Sequence, residues 1–94
     1  MSFCLRLELA RAEGALERVL ATVRRRGFEV GWLVARPCGE ADGLDLLLRL
    51  AGPRPPENLL HQCRKLVDVR WAELVADPAE GAPLWELATR LERA

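Results

Sequence analysis

The stretch Glu13–Val30, EGALERVLATVRRRGFEV, decides how this chain folds. Its apolar residues recur at the i, i+3, i+4, i+7 spacing of a helix with one buried stripe. Three arginines follow, in the position where cations stabilise the negative end of a helix dipole. Gly27 then supplies the left-handed backbone with which many helices end. The stretch therefore predicts a helix that begins at Glu13–Gly14, ends at Gly27 and leads into a strand. The apolar stripe consists of Leu16, Val19, Leu20 and Val23.

Apolar alternation with a period of two predicts strands on both sides of this helix and further along the chain. The Leu-rich run at 44–50 would also suit a helix, but its strict alternation and flanking turns favour a strand. The order β-α-β-β-α-β predicts a ferredoxin-like α+β fold, a four-stranded antiparallel sheet with both helices on one face. The other predicted elements are strands at Ser2–Leu9, Phe28–Arg36, Leu44–Ala51 and Val67–Leu74 and a second helix at Pro56–Leu66.

Strict alternation also assigns side chains to the two faces of this sheet. In strand two it places Phe28, Val30, Trp32 and Val34 together, and in strand four it places Val67, Val69 and Trp71 together. The face without helices should then carry Cys4, Leu33, Ala35, Leu47 and Ala72 among charged residues. Such an apolar face predicts a cover, which is the C-terminal segment, a second copy of the chain or a larger protein.

The chain divides by pattern into one domain at 1–76 and a C-terminal segment at 77–94. That segment begins with the turn-rich sequence DPAEGAP and continues as a predicted short helix, Leu84–Arg93. A helix this short is marginal alone, so its apolar stripe should pack against the domain or a partner. The stripe consists of Leu84, Leu87, Ala88 and Leu91.

The composition excludes several classes of partner. The 94 residues, half of them hydrophobic, suit one small domain with its own core. The formal charge of zero removes the usual argument for a nucleic-acid surface. No apolar run approaches the roughly 20 residues that span a bilayer, and the N-terminus has a strand pattern rather than a signal peptide. We therefore predict a cytoplasmic protein that binds neither nucleic acid nor membrane.

No constellation of residues predicts catalysis, a metal or a resident cofactor. The three cysteines lie far apart without a CxxC pair, and His61 is the only histidine. Arg11 lies in the loop where a phosphatase of this shape needs a glycine-rich phosphate cradle, and that cradle is missing. The outward positions of strands one and three lack the aromatic residues with which an RNA-binding domain of this topology stacks bases. We expect no enzyme activity.

Two blocks of sequence resemble the ACT domain of acetolactate synthase small (regulatory) subunits. GALERVLATVRRRGFEV is similar to the family's Gly-Ala-Leu-x-Arg-Val helix start and its Arg-Gly-aromatic exit into strand two. QCRKLVDV is similar to its Gln-Leu-x-Lys-Leu-x-Asp-Val pattern, with Cys63 in place of the usual Leu. The resemblance covers about Leu5–Leu74. The short chain with one such domain resembles the isozyme II type.

The resemblance implies a regulatory role. Such subunits bind a thiamine-diphosphate-dependent catalytic subunit, which makes acetolactate from pyruvate in branched-chain amino-acid biosynthesis. They raise its activity, and many confer allosteric feedback inhibition by valine. We therefore expect an acetolactate synthase catalytic subunit as partner, together with a homodimer that pairs sheet edges or helices across a two-fold axis. A free-standing ACT domain that senses an amino acid and controls another enzyme is the alternative.

The resemblance also implies an effector site at the dimer interface, between the loop after strand one of one chain and strand two of its neighbour. Backbone N–H groups at the start of a helix suit an amino-acid carboxylate. Gly14, Ala15 and Val30 match the family pattern, whereas its two effector-binding Asn residues are replaced, near Arg11 and at Glu29. Glu13 adds a negative charge beside the expected carboxylate, which opposes binding. The predicted effector residues are Arg11, Glu13, Gly14, Ala15, Glu29 and Val30.

Overall fold

A computed structural model describes residues 2–37, 43–76 and 85 of the chain. Each of the six elements predicted before residue 76 is present, with bounds that differ from the prediction by at most two residues. The predicted C-terminal helix at 84–93 lies outside the described residues except for Trp85, which is helical. The elements are β1 Ser2–Ala10, α1 Ala15–Arg25, β2 Glu29–Pro37, β3 Gly43–Ala51, α2 Pro56–Arg64 and β4 Val69–Val75.

The four strands form one antiparallel sheet in the order β2-β3-β1-β4. Residues of α1 and α2 join the inward leucines of β1 and β3 in a single core, so both helices lie on one face of the sheet. This is the predicted ferredoxin-like fold, and the Leu-rich run at 44–50 is a strand as expected. The fully buried strand leucines of this core are Leu5, Leu7, Leu9, Leu46, Leu48 and Leu50.

Two glycines set the ends of α1. Gly14 precedes the helix with φ at +79°, and Gly27 follows it with φ at +86°, a region that L side chains rarely adopt. The N–H of Gly27 donates to the carbonyl of Arg24 at 3.0 Å, which satisfies one of the last carbonyls of the helix. The predicted start and stop of the opening helix are therefore confirmed.

The face assignment in β2 was wrong because the strand contains a bulge. Val30 pairs with Leu50 and Trp32 pairs with Arg49, so Gly31 is an extra residue between them. One extra residue reverses which face every later side chain occupies. Trp32 therefore points to the face opposite α1 and α2, here called the open face. Val34 joins it there, whereas Leu33 and Ala35 lie on the helix side, opposite Leu48 and Leu46.

A second bulge corrects the assignment in β4. Leu9 pairs with Val69 and Glu8 pairs with Trp71, which leaves Arg70 as the extra residue. Trp71 therefore lies on the open face, while Val69 packs against the core. Ala72 pairs with Leu7 on the helix side, and Val67 precedes the strand with 92% of its surface exposed. Of the five residues predicted for the open face, only Cys4 and Leu47 are on it.

Candidate functional site

The loop between β1 and α1 is the first half of the predicted effector site. Arg11 and Glu13 are exposed, Gly14 is half-buried and Ala15 is buried as the first residue of α1. No side chain caps the start of this helix. Because the first N–H groups of any helix lack acceptors within it, this end presents backbone donors and the positive pole of the helix dipole. The loop therefore has the polarity that a carboxylate requires.

An ion pair holds this loop in place from within the domain. Arg18, one turn into α1, donates from Nε to the Asp68 carboxylate at 2.6 Å, and its Nη2 contacts the same oxygen. Nη2 also donates to the backbone carbonyl of Glu13 at 2.9 Å. The turn before β4 approaches from the other side, where the carbonyl of Asp68 accepts from the N–H of Ala10 at 2.8 Å. Arg18 and Asp68 therefore connect both ends of the loop to the turn before β4.

Sequence reasoning missed the role of this pair, although a signal was present. Arg18 is the arginine of the first quoted block and Asp68 is the aspartate of the second, 50 residues apart. The structure thus joins the two blocks through one contact. A Cβ on Gly14 would lie 2.7 Å from Nη1 of Arg18, so the end of that side chain would have to shift. The positive φ of Gly14 is what favours glycine at this position.

The second half of the predicted site lies at the other end of the sheet. Glu29 pairs with Ala51, and Ala51 pairs with Ser2, so β2 begins where β1 begins. The loop carrying Glu13 follows the last residue of β1. At about 3.3 Å per residue, the nine residues of β1 separate the two halves by about 26 Å. One chain therefore does not bring Glu29 and Val30 to Gly14.

The edge strand β2 exposes apolar side chains on both of its faces. Val30, Trp32 and Leu33 are each between 36% and 38% exposed, although all three are large and hydrophobic. As the first strand of the sheet, β2 also has one row of backbone groups without a strand partner among residues 2–37 and 43–76. A long, apolar sheet edge is a template for pairing with another strand.

The chemistry-bearing side chains of the described part do not form a reactive centre. No group of three His, Cys, Asp or Glu residues within it is placed to hold a metal ion. His61 is exposed on α2, and Cys63 on the same helix is fully buried. Burial raises the pKa of the Cys63 thiol to about 11, so the nucleophilic thiolate is scarce at neutral pH. No helix in residues 2–37 and 43–76 is long and apolar enough to cross a membrane.

Comparison with known proteins identifies the family. The model of the ACT domain matches residues 11–71, which include both quoted blocks. The chain belongs to the ACT domain family. This ACT domain is 43% identical over 54 residues to the acetolactate synthase isozyme 2 small subunits of Escherichia coli K12 and Shigella flexneri. The match covers 57% of the chain and 62% of each relative, so it spans less than two thirds of the relatives' length.

Solved structures agree on the fold of this ACT domain. It superposes on the ACT domain of a GTP pyrophosphokinase from Chlorobium tepidum with a TM-score of 0.67 and 12% identity, covering 80% of this chain and 97% of that one. A homoserine dehydrogenase from Thiobacillus denitrificans gives 0.66 and 14% identity, covering 80% of this chain and 17% of the other. At such low identity the likeness concerns the fold alone.

Proposed function

We propose that this ACT domain acts as the regulatory small subunit of an acetolactate synthase and has no catalytic activity of its own. The observation that carries the proposal is its 43% identity to isozyme 2 small subunits within the matched ACT region. The Arg18–Asp68 ion pair supports it, because that pair joins the two sequence blocks on which the resemblance rests. Its partner is then the catalytic subunit, and its compartment is the cytoplasm.

The regulatory unit is a homodimer in this proposal, formed by antiparallel pairing of two β2 edges across a two-fold axis. The exposed apolar side chains of β2 support this choice, because pairing would bury them. Antiparallel pairing also brings the partner strand's Glu29 beside Pro37, the end of β2 nearer the β1–α1 loop. The dimer thus reduces the roughly 26 Å separation that keeps the two half-sites apart within one chain.

The effector of this dimer is an amino acid, with valine as the first candidate. Its carboxylate would face the uncapped start of α1 at Gly14 and Ala15, and its ammonium group would face Glu29 of the neighbouring chain. Val30 offers apolar contact for an aliphatic side chain. Glu13 and Arg11, both exposed, set the charge around the carboxylate, and Glu13 opposes it. Effector affinity should therefore rise when Glu13 is replaced by glutamine.

Reconstitution with the catalytic subunit from the same source tests the proposed function. We expect co-elution of the two chains and a higher rate of acetolactate formation than the catalytic subunit shows alone. Titration with valine, leucine and isoleucine, by calorimetry and by rate, then tests the effector site. If neither the rate nor the elution position changes, the assignment is rejected. Tight amino-acid binding without any effect on the synthase would favour the free-standing sensor instead.

A further inference from the structure

The open face of the sheet is buried at its centre although neither α1 nor α2 lies on it. Cys4 is fully buried, and only 4% of the surface of Leu47 and 7% of that of Arg49 is exposed. Cys4 and Leu47 form their own apolar cluster with Val34 and Val75, separate from the main core. Strand residues alone leave one face of a sheet in contact with solvent, so this degree of burial indicates a cover.

Trp85 shows which part of the chain is near this face. Its ring meets that of Trp32 edge-to-face, with the centroids 5.4 Å apart. Trp32 starts a cross-strand row on the open face that continues through Arg49 and Cys4 to Val75. β4 ends at Val75 on one edge of the sheet, and ten residues later the chain contacts β2 on the opposite edge.

The chain length permits this crossing. Three strand spacings separate the two edges, about 14 Å in total. The nine residues between Val75 and Trp85 can span about 30 Å when extended, so the crossing needs no strain. Because cover and sheet belong to one chain, the effective concentration of the segment at the face is high, which favours it over a second copy.

Charge also favours the C-terminal segment as the cover. Residues 77–94 carry four carboxylates and two arginines, a net charge of −2, whereas residues 1–76 carry a net charge of +2. The strands of the open face carry four arginines and four carboxylates, several of them in mutual contact, such as Arg6 with Asp45 at 3.5 Å and Arg70 with Glu8 at 3.6 Å. Because the excess positive charge belongs to residues 1–76 as a whole, an acidic segment complements this domain better than an identical copy of the whole neutral chain does.

We propose that residues 77–94 cover the open face, crossing from β4 to β2 with Trp85 as their anchor on Trp32. The predicted apolar stripe of the segment then packs over Cys4 and Leu47. With the open face occupied by the chain itself, the β2 edge and the helix layer are left for a second copy and for another protein. The inference does not depend on the proposed function, since it concerns only contacts within one chain.

Alkylation of Cys4 by N-ethylmaleimide tests the proposal in the full chain. Cys38 is replaced by serine, and labelling of Cys4 and Cys63 is followed separately by peptide mass spectrometry. Cys63 is a residue of α2 whose side chain belongs to the main core, so its labelling reports global opening. We expect Trp85→Ala to raise the labelling rate of Cys4 about fivefold, with the rate at Cys63 unchanged, because an aromatic contact is worth about 1 kcal/mol.

Trp71→Ala is the matched control, because it removes the same side chain from the same face. Trp71 pairs with Glu8 and stacks with Arg6, 5.3 Å from its ring centroid, away from the row that contains Cys4. It should leave the labelling of Cys4 unchanged. Leu87→Asp, which places a charge in the segment's stripe, should act like Trp85→Ala.

Three results would overturn the proposal. Unchanged labelling of Cys4 in both Trp85→Ala and Leu87→Asp would show that the segment does not protect it. A parallel rise at Cys4 and Cys63 would show that the variants open the whole domain rather than one face. A labelling rate in the parent chain that increases on dilution would show that a second copy provides the cover.

Discussion

The neighbouring strands β2 and β3 have the same length and similar apolar content, but opposite environments. Seven of the nine residues of β2 are exposed, whereas β3 is exposed only at Ala51. β3 has strand partners on both sides and helices over one face, while β2 is an edge with one partner. Apolar residues in β3 thus stabilise the fold, whereas Val30, Trp32 and Leu33 of β2 each keep more than a third of their surface exposed. Leu48 and Leu33, which pair directly across the two strands, allow the difference to be measured.

The largest effect on stability is expected from β3. Leu48→Ala removes a fully buried side chain from the core and should lower the free energy of unfolding by about 2–5 kcal/mol. Leu33→Ala makes the same chemical change on the neighbouring strand, where 38% of the side chain is exposed, and should cost less than about 1 kcal/mol. Urea unfolding of both variants provides the comparison. Equal losses would mean that β2 is as much a part of the core as β3.

The next largest effect on stability is expected from the buried Cys63 thiol of α2, and this effect depends on pH. Burial raises the pKa of Cys63 from 9.0 to about 11, so folding disfavours the thiolate. The contribution of the neutral thiol to stability is complete below pH 9 and is lost as the pH rises through 11, by about 3 kcal/mol overall. Urea unfolding between pH 8 and 11 should show this loss. Cys63→Ala should reduce the pH dependence, and an unchanged pH profile in that variant would contradict the prediction.

The Arg18–Asp68 pair is intermediate between the buried strand β3 and the exposed strand β2. Asp68 is nearly buried, while the Arg18 side chain is 46% exposed. Asp68→Asn keeps the shape and removes the charge, so we expect a loss of about 1 kcal/mol. We also expect faster hydrogen exchange at residues 10–18, because Arg18 holds the Glu13 carbonyl. Arg70 pairs with Glu8, whose side chain is more exposed than that of Asp68, and Arg70→Gln is a control without that local effect. Unchanged exchange in Asp68→Asn would exclude a positioning role.

The order and type of the elements were predictable because the apolar periods are strong and the turns are marked by glycine and proline. Leu5, Leu7 and Leu9 alternate through β1. Gly27 separates a helix, in which apolar residues recur about every 3.6 positions, from a strand, in which they recur every two. The faces of β2 and β4 were not predictable, because a bulge changes the register without changing the composition. A glycine inside a strand, such as Gly31, is one sign of a bulge but does not establish it, and Arg70 carries no such sign.

The effector residues that the resemblance implies stay a prediction, and the sequence did not indicate how far apart they lie within one chain. The resemblance pointed to Gly14 and Glu29, but alternation along the chain says nothing about which end of the sheet each occupies. Their separation follows from the strand directions and register, which only pairing across the sheet determines. Arg18 and Asp68 were missed because their contact joins residues 50 positions apart. Such long-range ion pairs leave no local periodicity in a sequence.

The smallest effect on stability should accompany a large effect on association, and it tests the edge strand most directly. Leu33→Lys places a charge on an edge strand, where lysine commonly opposes pairing with another chain. Because Leu33 is already partly exposed, the free energy of unfolding should change by less than about 1 kcal/mol. The dissociation constant of the proposed dimer, measured by sedimentation, should rise at least about tenfold, since a desolvated unpaired charge opposes the interface. Val67→Lys, at an exposed position outside the strands, is the matched control and should change neither quantity. A dimer that persists in Leu33→Lys would mean that the chains associate through another surface and that the apolar exposure of β2 serves a different partner.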